Sequence, residues 1–260
     1  MPHRTPPTQL AVVNADDFGM NDAVNAGIVE AFRRGLVSSA SLMATMPGFG
    51  AAVEMAHEAG LTDRLGVHLN LTEGATLTTP LRSCPRFCAP DGTFVWRHRG
   101  IWALDGTEAH AIAVEWRAQI AALLAQGVRP SHVDSHHHVH TAWPLGTIAL
   151  TLAREHSIPA VRLTRNCGPA PAAVVRLYKA AYNARLRRAG VAAVSRFGSA
   201  LDVRSAVGAT NGPVEVMTHP QLDAAGELID RPLGRLDETL GAVLGRITMV
   251  SHRELASNRA

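Results

Sequence analysis

Short apolar runs of five to seven residues alternate with longer stretches of helical period along this chain. The runs are LAVVNA (10–15), SSASLMA (38–44), LGVHLNL (65–71) and SHVDSH (131–136), then AVRLT (160–164), AVSRF (193–197), VEVMTH (214–219) and ITMVSH (247–252). After the first of them, DAVNAGIVEAFRRG puts Val24, Ile28, Val29 and Phe32 on one helical face and closes on Gly35. Asn21 or Asp22 suits its N-cap. GTEAHAIAVEWRAQIAALLAQG and LGTIALTLAREHS have the same period, the first again ending in glycine. Strands separated mostly by helices must run parallel through crossover connections, so the expected class is α/β. Short strands and numerous helices suit a barrel of seven to eight mostly parallel strands better than an open sheet. NADDFG after the first strand is no glycine-rich phosphate loop, which removes the dinucleotide-binding and P-loop classes.

Residues 72–105 break the alternation. They are rich in proline and glycine and carry Phe87, Phe94, Trp96 and Trp102, so they read as an aromatic flap over one end of the barrel. No Pro/Ser linker and no internal repeat divides the 260 residues, which implies one domain over 1–260. MPHRTPPTQ lacks the apolar core of a secretory signal, so residues 1–8 are expected to be a frayed tail. The three cysteines, Cys84, Cys88 and Cys167, are an odd number and fit free thiols in a reducing compartment. The expected location is the cytoplasm, with no membrane span. A formal charge of +3 does not imply a nucleic-acid partner, because the arginines are scattered and only 5% of residues are aromatic. RLRRAG (185–190) reads as a solvated helix face.

Polar residues interrupt the strands mainly at their C-terminal ends: Asn14, Asp16 and Asp17 in the first, His68 and Asn70 in the third, His132, Asp134 and His136 in the fourth, His219 in the seventh. In an α/β barrel those ends share one face, where active sites lie. Strand parity points His132, Asp134, His136 and His138 one way and His137 the other. Several imidazoles with a carboxylate invite a divalent metal, although a hydrogen-bonded polar core is the plainer account of any one histidine. Adjacent Asp16 and Asp17 resist joint ionisation unless positive charge lies between them. If one of them ligates a cation, the other stays ionised as a base. For both to face it, the chain must turn within the pair. Arg162 and Arg165 at the end of the fifth strand can bind a substrate anion or orient Asp16, with a surface salt bridge the slightly preferred reading.

VVNADDFGMN, LGVHLNLTEG, SHVDSHHHVH and VEVMTHP, in this order and spacing, resemble the YdjC-like carbohydrate deacetylases, relatives of chitin-oligosaccharide deacetylase. The four blocks span residues 10–220. The resemblance implies an irregular TIM-like (β/α) barrel that hydrolyses the acetamide of an N-acetylated amino sugar. By motif position it makes Asp16 the general base and His219 the proton donor. Asp17, His68 and His136 become ligands of one divalent ion, Zn2+ or Mg2+. His132 and Asp134 then stand behind His136 and hold its tautomer, with His138 an alternative ligand. Trp96 and Trp102 are available to stack on a pyranose ring or simply to pack. DSHHHVH leans toward the chitin-oligosaccharide branch, while a free, oligomeric, lipid-linked or antibiotic-precursor sugar all stay open. The rival readings are another barrel-type metallohydrolase (cyclic amidohydrolase or phosphoesterase) and an idle sugar-binding protein. A homodimer is compatible with all of them.

Overall fold

The computed structural model describes residues 9–95, 101–208, 211–231 and 233–257. Trp96 and the expected tail at 1–8 lie outside them. The chain begins with β1 (Gln9–Phe18), α1 (Asp22–Arg33), β2 (Ser39–Leu42), α2 (Phe49–Glu58) and β3 (Leu65–Leu69). The short α3 (Thr79–Arg82) and the long α4 (Gly106–Ala125) lead to β4 (Val133–Ser135), α5 (Trp143–Glu155) and α6 (Ala173–Arg188). The last part comprises β5 (Arg196–Ser199), α7 (Ala200–Val203), β6 (Val214–Thr218), β7 (Pro220–Leu222), β8 (Leu228–Asp230) and β9 (Gly234–Arg235). It closes with α8 (Leu236–Leu244), β10 (Ile247–Met249) and α9 (His252–Ser257).

The main sheet runs β4-β3-β2-β1-β6-β5, with β10 also on β1, and every pairing in it is parallel. β1 is its axis: β6 lies on one side, while β10 and β2 share the other, β10 along Gln9–Ala11 and β2 from Asn14 onward. The residues of β1 from Ala11 to Phe18 are all buried, as expected of a strand covered on both faces. The sheet curls into a half-barrel, in agreement with the irregular barrel expected. Asn21 is the cap of α1, its side chain accepting from the Val24 N–H at 3.0 Å.

Two stretches differ from the sequence reading. The AVRLT segment is no regular strand; Val161 alone bridges Val133. Its polar backbone goes elsewhere: the Arg162 carbonyl faces His140 Nε2 at 3.2 Å, and the Thr164 N–H donates to Asn183 Oδ1 at 2.8 Å. The segment is tied to β4 and to the stretch after α6, because Val133 N–H donates to Ala160 O and Val161 N–H to Val191 O. Second, β7, β8 and β9 form a small antiparallel sheet that the apolar pattern did not announce. It sits on α1 through Gly27, where a Cβ would come within 2.4 Å of Gln221 Cα; only a residue without a side chain permits that approach.

The described part of residues 72–105 is a folded lobe. Leu81, Cys84, Phe87, Cys88, Phe94 and Ile101 are buried in it. It is pinned to α4 by Glu115, whose carboxylate accepts from the Thr76 and Thr78 hydroxyls at 2.7 Å each. The cysteines are free. Arg185, Arg187 and Arg188 occupy the last turn of α6, where cations offset the helix dipole. Among the described residues no helix is long and apolar enough to cross a membrane.

Candidate active site and metal centre

The strand ends converge on one cavity of about 390 Å³, lined by Asp16, Asp17, His68, His136, His219 and Arg231 among others. The turn needed for both neighbouring carboxylates to face one cavity is supplied by a register shift in β1 between Ala15 and Phe18. Asp17 takes φ of 72°, a left-handed conformation that aspartate tolerates better than most residues. Both side chains therefore reach the same cavity instead of opposite faces.

Asp17 gathers one set of partners. Its Oδ1 lies 2.8 Å from His136 Nδ1 and 3.2 Å from His68 Nε2. Its Oδ2 accepts from Arg231. One donor atom from each of Asp17, His68 and His136 falls within 4.8 Å of the others, the spacing a single cation requires. Burial opposes ionisation of Asp17, but hydrogen bonds from His136 and His68 outweigh it and hold the carboxyl well below the usual range. His68 is turned by Asp134, whose Oδ1 is 2.7 Å from its Nδ1. The parallel register explains the contact, for His68 and Asp134 are direct neighbours on β3 and β4. Burial disfavours the imidazolium of His68, yet Asp134, Asp17 and Asp16 together push its pKa up to about 10. The site asks for positive charge.

Asp16 belongs to a different network. Arg162, 1% exposed, donates to its two oxygens at 2.6 and 2.7 Å, to Asp134 at 2.7 Å and to Glu215 at 2.6 Å. Burial would raise the Asp16 pKa; the guanidinium overrides it and keeps the carboxylate ionised far into acid. Asn14 Nδ2 adds a bond to Asp16 Oδ1 at 2.9 Å. Four buried carboxylates (Asp16, Asp17, Asp134 and Glu215) thus face two guanidiniums, Arg162 and Arg231. The carboxylates outnumber the guanidiniums, and the oxygen and imidazole donors beside them are those a divalent cation accepts.

His219 follows β6 and stands across the cavity. Its Nδ1 is 3.8 Å from Asp230 Oδ1, which also accepts from the His219 N–H at 3.3 Å. Burial works against the imidazolium, but Asp230 and then Asp16 and Asp17 raise its pKa above the ordinary value. If His219 donates a proton it must be charged, and because its pKa is raised, kcat/KM is expected to fall as pH rises through that raised value. Asp230→Asn removes the chief raising interaction and should bring that alkaline limb to lower pH; a pH–rate profile with an unmoved limb would deny Asp230 this part.

Several expectations need correction. Asp134 stands behind His68, not His136, and the contacts of His132 go elsewhere: it stacks on His252 at 4.0 Å and contacts Ser131 Oγ at 3.0 Å. What faces the far nitrogen of His136 is Glu73, Oε2 to Nε2 at 3.0 Å. Strand parity fails after Ser135, where His137 and His138 take φ of 51° and 56°. His137 consequently lines the catalytic cavity rather than pointing away, with its Nδ1 3.0 Å from Thr72 Oγ1. His138 lies on the cavity wall outside the Asp17 group, edge-on to Phe197, and burial lowers its pKa to about 3. His140 is structural, hydrogen-bonded to Ser135 at 2.6 Å. Arg162 is no surface salt bridge but the buried partner of Asp16; the surface pair is Arg165 with Asp202 at 3.2 Å. Trp102 is not on the catalytic cavity and packs edge-on to Tyr178. Sequence reasoning passed over Glu73, Glu215, Asp230 and Arg231. Glu73 lies inside the LGVHLNLTEG block, the one signal that was available; the other three sit at unremarkable positions.

A carbohydrate deacetylase of Halalkalibacterium halodurans is 33% identical over 80% of this chain and 84% of its own length. One of Brevibacillus brevis is 42% identical over 57% of each chain, so that match spans little more than half of the relative. A solved Enterococcus faecalis V583 protein, named for cellobiose-phosphate cleavage, superposes with a TM-score of 0.74 at 26% identity, covering 96% of this chain and 99% of its own. The family match runs over residues 10–256, nearly the whole chain, and the chain therefore belongs to the YdjC-like protein family.

Proposed function

We propose that this protein is a metal-dependent hydrolase that removes the acetyl group from an N-acetylated amino sugar, releasing acetate and a free amine. The observation that carries the reading is the convergence of Asp17, His68 and His136 on one point, with Asp16 and His219 lining the same cavity. Carbohydrate deacetylase relatives supply the substrate class. Asp17, His68 and His136 would hold a divalent cation, and the chemistry it would supply is polarisation of the acetyl carbonyl and acidification of the attacking water. Asp16 accepts that water's proton as its oxygen bonds to the acyl carbon. A base held so firmly ionised by Arg162 is a weak one, which is why it needs an acidified water. His219 donates a proton to the nitrogen as the C–N bond breaks, so the sugar leaves as a neutral amine. Asp134 fixes the orientation of His68 and, through Arg162, is tied to Asp16. Arg231 shares Asp17 and neutralises part of its charge.

The test is acetate release from a panel of N-acetylated sugars, read beside metal content. The proposal expects release that a chelator abolishes and one ion per chain. Two ions per chain would favour a two-metal hydrolase, and tight sugar binding without acetate release would favour an idle binding protein.

A further inference from the structure

A basic cavity of about 550 Å³ lies between α6 and the stretch from Arg165 to Pro171, and it shares no lining residue with the catalytic cavity. That volume falls within the roughly 300–1,000 Å³ typical of small-molecule sites. Its walls carry five cationic side chains, Arg165, Arg176, Lys179, Arg187 and Arg196, against one carboxylate, Asp202. That carboxylate is already engaged. Its Oδ2 accepts from the Ser199 N–H at 3.0 Å and the Ser199 hydroxyl at 2.8 Å, and lies 3.2 Å from Arg165 Nε. Among the described residues the other four cations come within ion-pair distance of no carboxylate.

Helical spacing brings these charges together. Arg176, Ala180, Asn183 and Arg187 follow one another along a single stripe of α6, and the small Ala180 leaves open space between the two arginines. The RLRRAG run divides here. Arg185 lies over the Trp143 ring at 5.1 Å, whereas Arg187 turns to the cavity and donates to the Ser195 carbonyl at 3.2 Å. Burial and then the charge of Arg165 pull the Lys179 pKa below its ordinary value, a crowding of positive charge that an anion would relieve. Another wall is built in advance. Pro169 and Pro171 have fixed φ angles, and Gly168 takes φ of 88° where a Cβ would come within 2.1 Å of Asp202 Oδ1. Asn183, 2% exposed, anchors the chain leading into that wall by accepting from the Thr164 N–H at 2.8 Å.

We propose that this cavity binds a phosphate ester or diphosphate at a site separate from catalysis. Four cations without a carboxylate call for a ligand with more than one negative charge, and the planar fork of arginine matches phosphoryl oxygens two at a time. A monocarboxylate would leave most of that charge unbalanced. The site stands whether or not the catalytic cavity removes acetyl groups.

The test is isothermal titration calorimetry of the whole chain with ADP as a soluble diphosphate, beside cosedimentation with vesicles of equal parts phosphatidylcholine and phosphatidic acid. One ADP should bind per chain, and acetate at the same concentration should give no heat. Arg176→Glu should weaken ADP by about tenfold or more, the loss of one charge-assisted contact, and Arg196→Gln should weaken it as well. Arg188→Glu makes the same change of charge on the same helix, at an exposed residue outside the cavity, and should have a much smaller effect. Vesicle binding that Arg176→Glu abolishes and Arg188→Glu leaves, without ADP binding, keeps the phosphoryl site and assigns it to a lipid headgroup. No binding of either probe, or equal losses in Arg176→Glu and Arg188→Glu, overturns the proposal. So does ADP binding that survives Arg176→Glu and disappears with a chelator, since it then belongs to the metal centre.

Discussion

Asp16→Asn is expected to keep its metal and lose turnover by about 10²–10⁴-fold, whereas His136→Ala loses both. The contrast follows from the two separate networks around the adjacent aspartates. Asp16 is bound by Arg162 and Asn14 and is not one of the Asp17, His68 and His136 donors that fall together. An asparagine there still accepts one hydrogen bond from Arg162, which retains Asp134 and Glu215 as counterions. The ligand set stays in place while the group that accepts the water's proton is gone. His136, by contrast, presents Nδ1 to Asp17 across 2.8 Å, and no other side chain replaces it there. Metal content by mass spectrometry, with acetate release on the same samples, decides the matter. Full turnover in Asp16→Asn would remove the base; an undiminished ion in His136→Ala would remove the ligand.

Arg162→Leu is expected to cost about 3–5 kcal/mol of folding stability at neutral pH, the range found when one partner of a buried ion pair is deleted. Here the deleted cation serves Asp16, Asp134 and Glu215 together, all of them buried. The sign with pH is fixed by the carboxylates. In the unaltered protein Asp16 and Glu215 have lowered pKa values, so their contribution is complete above the ordinary carboxylate range and is lost as pH falls through the lowered values. The difference between variant and parent should therefore shrink on acidification, when the unpaired carboxyls take up protons. Denaturant unfolding at neutral and acid pH measures it. Arg162→Lys, which keeps the charge but not the forked geometry, should fall between the two. A leucine variant within 1 kcal/mol of the parent at neutral pH would mean that these carboxylates find other partners.

That Asp16, Asp17, His68, His136 and His219 share one cavity was legible because each interrupts an apolar run at a strand end, and strand ends meet on one face of a barrel. The partners of these residues were not legible. Asp134 was assigned to His136 on grounds of proximity in sequence, yet the parallel register sets it beside His68. His137 and His138 were assigned by strand parity, which has no force once φ turns positive. Arg162 looked like an exposed arginine at the end of a strand; three carboxylates draw it into the barrel.

What the chain determined unaided is what depends on local backbone geometry: the alternation of strand and helix, the cap at Asn21, and the positions at which polar side chains leave each strand. Periodicity and capping act over a few residues and can be read wherever they occur. The tertiary structure alone decided that Asp230 and Arg231, from a small antiparallel sheet, complete the site beside His219 and Asp17, and that Glu215 steadies the arginine behind Asp16. Those contacts join residues distant in sequence, and their existence depends on register and burial, which emerge only when the half-barrel has closed around a shared excess of negative charge.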